Sequence, residues 1–348
     1  MSKSIPYNLQ KYIQKIERNK LSFPIDISNP SFTDALEEYE IHDEETIDEY
    51  IRNNQKFRQI KLADDFYFPY NVNKINARCS QANEKRVNRL LYLLEFNNLI
   101  TYLSLDRCNV TLEMLNIISH FPLLKILSLK NCNLPSGSGQ FISQIKTLED
   151  LDITGNRELN VNDFKYISKL RNLKILDLTN IEITVDIATE LSKIKTLKSI
   201  RLLNNNLNDN SLLLLINKLE NLEYLDIIAN NKISDESVSK ISKLSKLKFL
   251  RLIRSKIKKE GIDSISELKN LEKLYIQQNK LKDEDIQNIK NLKSLKILNV
   301  AINILTDDCI PSILPLKNLQ ELYIIYGNNI SSEAIDEVRK NNTNVTIY

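Results

Sequence analysis

The stretch that decides the fold of this chain runs from Leu222 to Leu247. Its first half reads LEYLDIIANNKI, in which apolar residues at positions one, four and six precede an asparagine at position nine, Asn230. Its second half reads SDESVSKISKLSK, in which an apolar residue recurs at every third position until Leu247 starts the pattern again. The first half predicts a short strand that ends in a turn, and the second predicts an amphipathic helix.

This unit recurs along most of the chain with a period of 24 or 25 residues. Its first position falls at ten places: Ile100, Leu124, Leu148, Leu173, Leu197, Leu222, Leu247, Leu271, Leu295 and Leu319. Apolar residues also lie three, six and nine residues before most of these starts, as Leu268, Ile265 and Ile262 do before Leu271. One unit cannot bury both its strand face and its helix face, so the units must stack. The strands are then predicted to form a parallel sheet on the concave side, with the helices on the convex side.

The frame L-x-x-L-x-L-x-x-N, as it stands from Leu271 to Asn279, resembles the leucine-rich-repeat superfamily. The helical outer face and the period look most like the ribonuclease-inhibitor-like class, and like the GALA-type repeats of bacterial effector proteins delivered into host cells. Only Glu260-Gly261-Ile262 comes near the Gly-Ala pair of those repeats. The resemblance implies an α/β leucine-rich-repeat solenoid, or horseshoe, that holds a protein partner.

The ninth position of each unit explains two of the four cysteines. It reads Cys108, Cys132, Asn156, Ile181, Asn205, Asn230, Ser255, Asn279, Asn303 and Gly327. The repeat pattern expects Asn or Cys there, because that side chain satisfies backbone groups in the turn that leaves the strand. A structural role is therefore expected for Cys108 and Cys132. Ile181 and Gly327 cannot make this hydrogen bond, so looser or differently bonded turns are expected there, with the array ending near Gly327.

Residues 1–56 do not repeat. Residues 1–95 are predicted to form a mainly helical N-terminal region and cap, with helices near 7–18, 33–39, 44–53 and 76–94 and one degenerate first strand at 57–62. Residues 96–348 are predicted to form the leucine-rich-repeat domain of about ten units. A terminal cap is expected because the end of a stacked array would otherwise expose its core to water.

Composition narrows the classes of function. The chain has 48 basic and 45 acidic side chains, and a net charge of +3 gives no general attraction to nucleic acid or to a membrane. The N-terminus lacks the apolar core of a secretory signal. We expect a monomer that is cytoplasmic, or that is translocated into a host cell without a cleaved N-terminal signal peptide.

Chemistry-bearing motifs are missing from the sequence. It has two histidines, His42 and His120, and its cysteines show neither C-x-x-C spacing nor clustering with histidine. G-x-S-x-G, Walker A, G-x-G-x-x-G and H-E-x-x-H patterns do not occur. A non-enzymatic protein without a metal or cofactor is therefore expected.

A binding surface is predicted on the concave side, where strand positions three, five, seven and eight are not needed for the core. Small and ionic residues occupy these positions in the first four units, and aromatic, basic and apolar residues follow. The candidate partner-binding residues are Arg201, Leu203, Tyr224, Asp226, Ile228, Phe249, Arg251, Ile253, Arg254, Tyr275, Tyr323 and Tyr326. An apolar row with Tyr and Arg beside it is typical of a contact surface. Two other interpretations remain open: the row packs under loops, or Asp226 and Arg251 only stabilise strand stacking.

Two functions agree with these patterns. One is a protein-protein interaction scaffold that acts on host proteins as a secreted bacterial effector. The other is an endogenous cytoplasmic scaffold or adaptor, for example in ubiquitin-type signalling, with no host role.

Overall fold

A computed structural model of the protein describes residues 100–348 throughout. Before them it describes four strands, β1 (Ile25–Asp26), β2 (Gln59–Ala63), β3 (Phe66–Pro69) and β4 (Lys74–Asn76). The helices predicted near 7–18, 33–39, 44–53 and 76–94 lie outside the described residues.

The strands of the repeats form one parallel sheet, as the sequence predicts. Within the described part of the chain the sheet has 13 strands, in the order β1, β4 and then β5 to β15. The strands from β5 onward are Tyr102–Ser104, Ile126–Ser128, Asp150–Asp152, Ile175–Asp177, Ser199–Arg201, Tyr224–Asp226, Phe249–Arg251, Lys273–Tyr275, Ile297–Asn299, Glu321–Tyr323 and Thr346–Ile347. Equivalent positions lie side by side, so that Leu225 pairs with Ile200 on one side and Leu250 on the other. The fold is therefore a leucine-rich-repeat solenoid.

The predicted degenerate strand at 57–62 is not part of this parallel sheet. Strand β2 instead pairs antiparallel with β3 in a separate two-stranded sheet. Only residues 64 and 65 separate the two strands, and a two-residue connection favours a hairpin over the long crossover that a parallel neighbour needs. The strand next to the first full unit is β4, in which Ile75 pairs with Leu103.

Helices connect successive strands and cover the other side of the core. The α-helices are Leu112–Ser119, Ser138–Ile142, Val161–Ile167, Val185–Leu191, Asp209–Lys218, Asp235–Val238, Lys259–Ile265, Ile310–Ile313 and Ser332–Asn341. Many begin at a Ser, Thr or Asn whose side chain accepts a backbone N–H bond from the first turn, as Thr184 does from Ile187 at 3.3 Å.

The convex layer is not purely α-helical. Ile241–Lys243, Asp283–Asn291 and Asp307–Cys309 are 3₁₀-helices. Three residues per turn place side chains three apart on one face, and Ile286, Ile289 and Leu292 are accordingly all buried. In the α-helix Asp209–Lys218 the same spacing fails, because Leu213 is only half-buried while Leu212 and Leu215 are buried.

The core lies between the two layers and consists of the repeat leucines and isoleucines. Positions one, four and six are buried in every unit from Ile100 to Ile324. These side chains form one continuous cluster with the buried helix residues. No helix in the described part is both long and apolar enough to cross a membrane.

The ninth position forms a hydrogen-bonded ladder, as predicted. Asn230 Oδ1 accepts from the backbone N–H groups of Asn205 (3.1 Å) and Leu207 (2.9 Å), and its Nδ2 donates to Leu202 O at 2.7 Å. Asn156 and Asn303 make equivalent bonds, and Asn279 accepts from Ser255 N at 2.8 Å and donates to Leu252 O at 2.7 Å. Each asparagine therefore ties its own turn to the turn before it.

Ile181 and Gly327, the two residues at position nine that cannot make this side-chain bond, lie in turns that are bonded in different ways. Ile181 is buried, and its turn is bonded through its own backbone, since Ile181 N donates to Leu178 O at 3.1 Å. At the last unit the turn is one residue longer, and Asn328 replaces position nine: its Nδ2 donates to Ile324 O at 2.8 Å and its Oδ1 accepts from Asn303 N at 3.1 Å. The turn that contains Gly327 is therefore bonded differently from the others, as expected, and one closing strand, β15, ends the array.

Candidate partner-binding surface

Three aromatic side chains on neighbouring strands form a continuous stack, which we call the aromatic ridge: Tyr224, Phe249 and Tyr275. The rings of Tyr224 and Phe249 lie parallel, with centroids 4.0 Å apart and planes 11° from each other. Phe249 and Tyr275 lie 5.4 Å apart and are tilted by 38°. In-register pairing of strands β10 and β11 places Tyr224 beside Phe249, whereas Tyr275 on β12 pairs with Arg251 and lies diagonal to Phe249. All three rings are half-buried.

A buried ion pair supports the ridge. Arg251 lies over both Phe249 (5.1 Å) and Tyr275 (4.9 Å), and its NH1 donates to Asp226 Oδ2 at 2.9 Å. The Asp226 side chain is only 2% exposed, against 29% for Arg251. Burial raises the pKa of Asp226, and the charge of Arg251 opposes that rise. The ion pair thus balances the buried charge of Asp226 and holds the Arg251 guanidinium over the rings.

Arg201 extends the ridge toward the N-terminal side. Its guanidinium lies 5.4 Å from the Tyr224 ring, and its NH1 contacts Asp177 Oδ2 at 3.2 Å. The Arg201 side chain is 45% exposed, so it remains accessible to a partner. Six of the predicted residues therefore belong to one contiguous group: Arg201, Tyr224, Asp226, Phe249, Arg251 and Tyr275.

An apolar row flanks the aromatic ridge at position seven. It consists of Leu203, Ile228 and Ile253, which are half-buried and do not belong to the side chains packed against the core. The backbone carbonyls of all three accept bonds from the preceding turn, as Ile228 O does from Asn204 N at 2.9 Å. The row thus lies where strands meet turns on the concave side.

Two predicted residues form a separate group near the C-terminal strand. Tyr323 stacks on Tyr348, with centroids 4.4 Å apart and planes 10° from each other. The Tyr323 hydroxyl donates to Glu321 Oε2 at 2.8 Å, and this hydrogen bond raises the pKa of Tyr323 to about 12. Tyr326 is 74% exposed. Strand β13 with Asn299 separates this group from the aromatic ridge.

Arg254, another of the predicted residues, lies in the turn that follows strand β11. Position eight is a left-handed turn residue, with φ of 57° at Arg254 and 58° at Ala229. The Arg254 Nε donates to Gln278 Oε1 of the following turn at 2.5 Å. Position eight therefore shapes the turns and connects them.

The first four units present a polar concave surface, as the sequence indicates. Lys130 pairs with Asp152 at 2.9 Å, and Ser128 donates to Asp106 at 2.5 Å. Burial raises the pKa of both Asp150 and Asp152, and the charges of neighbouring carboxylates add to the effect. This half of the face therefore differs in chemistry from the aromatic ridge.

The cysteines and histidine of the described part hold structural positions. Burial raises the pKa of the Cys132 and Cys309 thiols to about 12, so both stay protonated. Cys132 Sγ donates to Leu105 O at 3.0 Å. His120 ends the helix Leu112–Ser119, and its Nδ1 lies 2.7 Å from Asn116 O. Among the described residues, no three or more His, Cys, Asp or Glu side chains are grouped so that they could hold a metal ion.

Tyr348 was not among the predicted residues, although the chain offers a signal for it. The closing strand β15 pairs with β14 so that Ile347 lies beside Leu322. Ile347 therefore occupies position four and Tyr348 occupies position five, the same position as Tyr323. Extending the repeat frame over the last five residues would have identified it.

Comparison with known proteins places this chain by its fold. No protein-family model matches the sequence. A search of curated proteins also finds no match. The internalin inlF from Listeria monocytogenes str. 4b F2365 is similar in structure, with a TM-score of 0.58 and 18% identity over 82% of this chain and 90% of the internalin. A TDR receptor gives a TM-score of 0.53 at 21% identity, covering 80% of this chain and 47% of the receptor. TLR13 in complex with ssRNA13 gives 0.54 at 17% identity, covering 76% of this chain and 37% of TLR13.

Proposed function

We propose that this chain is a non-enzymatic interaction scaffold that binds a protein partner on its concave face. The observation that supports this most is that the aromatic ridge and the apolar row lie side by side over four adjacent strands, β9 to β12. Aromatic and arginine side chains contribute most of the binding energy at many protein interfaces. The row of Leu203, Ile228 and Ile253 remains half-buried without packing against the core, so a partner could bury it further.

The alternative that these residues only stabilise strand stacking accounts for part of the geometry. The pair of Asp226 and Arg251 does connect neighbouring strands. The ion pair does not, however, explain why apolar side chains occupy position seven of these strands. A surface built only for stacking would leave polar side chains there, as the first four units do with Lys130 and Thr154.

The ridge suits a protein better than a nucleic acid. TLR13 is recorded in complex with ssRNA, and single-stranded nucleic acids bind many proteins by stacking bases on aromatic faces. In this chain the faces of Tyr224 and Phe249 are stacked on each other, and Arg201 and Arg251 lie over the ridge rings. The ring edges and the tyrosine hydroxyl groups thus remain available to a partner. Such groups favour contact with apolar and hydrogen-bonding side chains of a protein.

The test is a binding assay with paired variants. Phe249→Ala with Tyr275→Ala should weaken capture of the partner about thirtyfold, since an aromatic anchor commonly contributes about 2 kcal/mol or more. Lys130→Ala on the polar half is the matched control and should change capture little. Because the two rings pack on Arg251, the double variant is also expected to unfold at a lower temperature, so Ile253→Glu provides a second variant that leaves the stack intact. If the partner is still captured by the double variant and by Ile253→Glu but not by Lys240→Glu on the helical side, the binding site lies on the helical side.

We further propose that the partner belongs to a host cell and that the chain acts as a secreted effector. The resemblance of its repeat frame to GALA-type repeats supports this role. An endogenous cytoplasmic scaffold or adaptor would use the same surface, so export is what separates the two. A reporter fused to the chain should reach the host cytoplasm if the chain is an effector, and a reporter retained in the producing cell would favour the endogenous scaffold.

A further inference from the structure

The nearly balanced net charge conceals a strong separation of charge between the two edges of the solenoid. In each unit from Leu124 to Leu319, a seven-residue segment joins the helix end to the strand start. We call these nine segments the basic rim: 119–125, 143–149, 168–174, 192–198, 217–223, 242–248, 266–272, 290–296 and 314–320. They contain sixteen lysines and one arginine against five Asp or Glu residues. The whole chain, by contrast, has a net charge of only +3.

The fold lines these segments up along one edge. Parallel in-register strands place every helix end and strand start on the same side of the array. Bonds between successive segments confirm the alignment: Lys195 Nζ donates to Lys218 O at 2.8 Å, and Lys293 Nζ donates to Pro315 O at 3.3 Å. All seventeen basic side chains are exposed except Lys296, which is half-buried. Lysines from nine units thus form one continuous charged surface.

Only part of this charge is neutralised within the rim. Three glutamates, Glu149, Glu223 and Glu272, pair with five of the lysines. Others donate to uncharged oxygens, as Lys246 does to Asn221 Oδ1 at 2.6 Å. The opposite edge has the other sign, because helices start there with acidic first turns such as Asp283 to Asp285. The solenoid is therefore electrically polarised from edge to edge.

The composition of the rim indicates the kind of anion it fits. Lysine outnumbers arginine sixteen to one, whereas arginine is the side chain suited to bidentate contacts with bases and phosphates. Phe121 is the only Phe, Tyr or Trp in the nine segments, and it is buried, so bases have no ring to stack on. Helices end at this edge, and their last carbonyl groups disfavour a phosphate held close to the backbone. These features favour diffuse attraction to a charged surface over directional binding of a nucleic acid.

We infer that the basic rim adsorbs to the surface of an anionic lipid bilayer. Juxtaposed lysines are attracted to the negative surface potential of such a membrane within about a Debye length. The rim is an edge of the solenoid, so adsorption through it leaves the aromatic ridge on the concave sheet free to bind a partner. The expectation that the chain is not attracted to a membrane rests on its net charge of +3, and that net charge does not describe this one edge. This inference is independent of the proposed protein-binding function.

The test measures partition of the full chain onto vesicles of phosphatidylcholine with and without phosphatidylserine, at low and high salt. Lys246→Glu, Lys269→Glu and Lys293→Glu together should reduce partition onto the anionic vesicles by about tenfold or more. The matched control reverses three exposed lysines at the opposite edge: Lys232→Glu, Lys256→Glu and Lys258→Glu. It changes the net charge equally and should leave partition nearly unchanged. High salt should abolish binding of the unaltered chain.

Three outcomes would overturn the inference. Equal weakening by both triple variants would show that only net charge matters, and equal binding to both kinds of vesicle would remove the electrostatic basis. Tighter rim-dependent binding to a single-stranded oligonucleotide, at equal phosphate concentration, would assign the rim to nucleic acid. Thermal unfolding checks that each variant folds. If the triple glutamate variant of the rim does not fold, the same three lysines are replaced with glutamine, and partition of that variant onto the anionic vesicles decides between the outcomes.

Discussion

Replacing Asn230 with alanine tests the hydrogen-bonded ladder that joins the turns. The Asn230 side chain satisfies three buried backbone groups, namely the N–H groups of Asn205 and Leu207 and the carbonyl of Leu202. Alanine would leave all three without a partner in a site where Asn230 is fully buried. Each unsatisfied buried group costs about 1–3 kcal/mol, so the substitution should lower the free energy of unfolding by about 3 kcal/mol or more.

The measurement is urea unfolding followed by circular dichroism, with thermal unfolding as a second readout. A loss of that size corresponds to a decrease in Tm of about 6 °C or more for a domain of this length. Asn231→Ala is the matched control, because Asn231 is exposed and adjacent in the same turn. It should change stability by less than about 0.5 kcal/mol. Similar small losses for both variants would refute the view that the ladder holds the turns together.

Other predictions concern the polar strands, the last turn, the thiols and the N-terminal region. Asp150→Asn should stabilise the fold at pH 7, because a raised pKa means that ionisation of Asp150 opposes folding. The gain should shrink as the pH falls through the folded-state pKa of Asp150 and vanish below its unfolded value of about 3.8, and equal effects at neutral and at acidic pH in urea unfolding would contradict this. Gly327→Ala should lower the free energy of unfolding by about 1–3 kcal/mol in the same assay, because φ is 73° at this position and an added Cβ would lie 2.8 Å from the Ile302 Cα. An unchanged free energy of unfolding would mean that the turn rearranges freely. Cys132 should resist thiol reagents until the chain unfolds, and labelling of the native chain at the rate of the unfolded chain would show that the thiol is not buried. Deleting residues 1–95 should cause aggregation or a markedly lower Tm, because the deletion removes strand β4 from the edge of strand β5. A monomeric fragment with an unchanged Tm would show that residues 1–95 are an appended module.

The repeat frame was sufficient to predict the sheet and the core because its period is regular. Positions one, four and six recur at fixed offsets, and in-register stacking turns a sequence offset of 24 or 25 residues into a contact between neighbouring strands. The adjacency of Tyr224 and Phe249 follows from the same offset. Their parallel ring geometry does not, because it depends on side-chain rotamers and on the position of Arg251.

The predictions failed where the offset changes. Strand β4 pairs with β5 at an offset of 28 residues, so the unit that begins at Val72 falls outside the strict period, although Ile75 and Ser80 occupy its fourth and ninth positions. The longer turn at Gly327 likewise moves the ladder to Asn328. The left-handed turn at position eight is a further feature that strand alternation alone does not predict.

The central claim is that a protein partner binds over the aromatic ridge, and site-specific photocrosslinking tests it most directly. A photoreactive amino acid is placed at Phe249 in one variant and at Lys240, on the helical side, in another. The structure predicts a covalent adduct with the partner from position 249 and none from position 240, with the adduct reduced by Ile253→Glu. An adduct from position 240 and none from position 249 would contradict the claim.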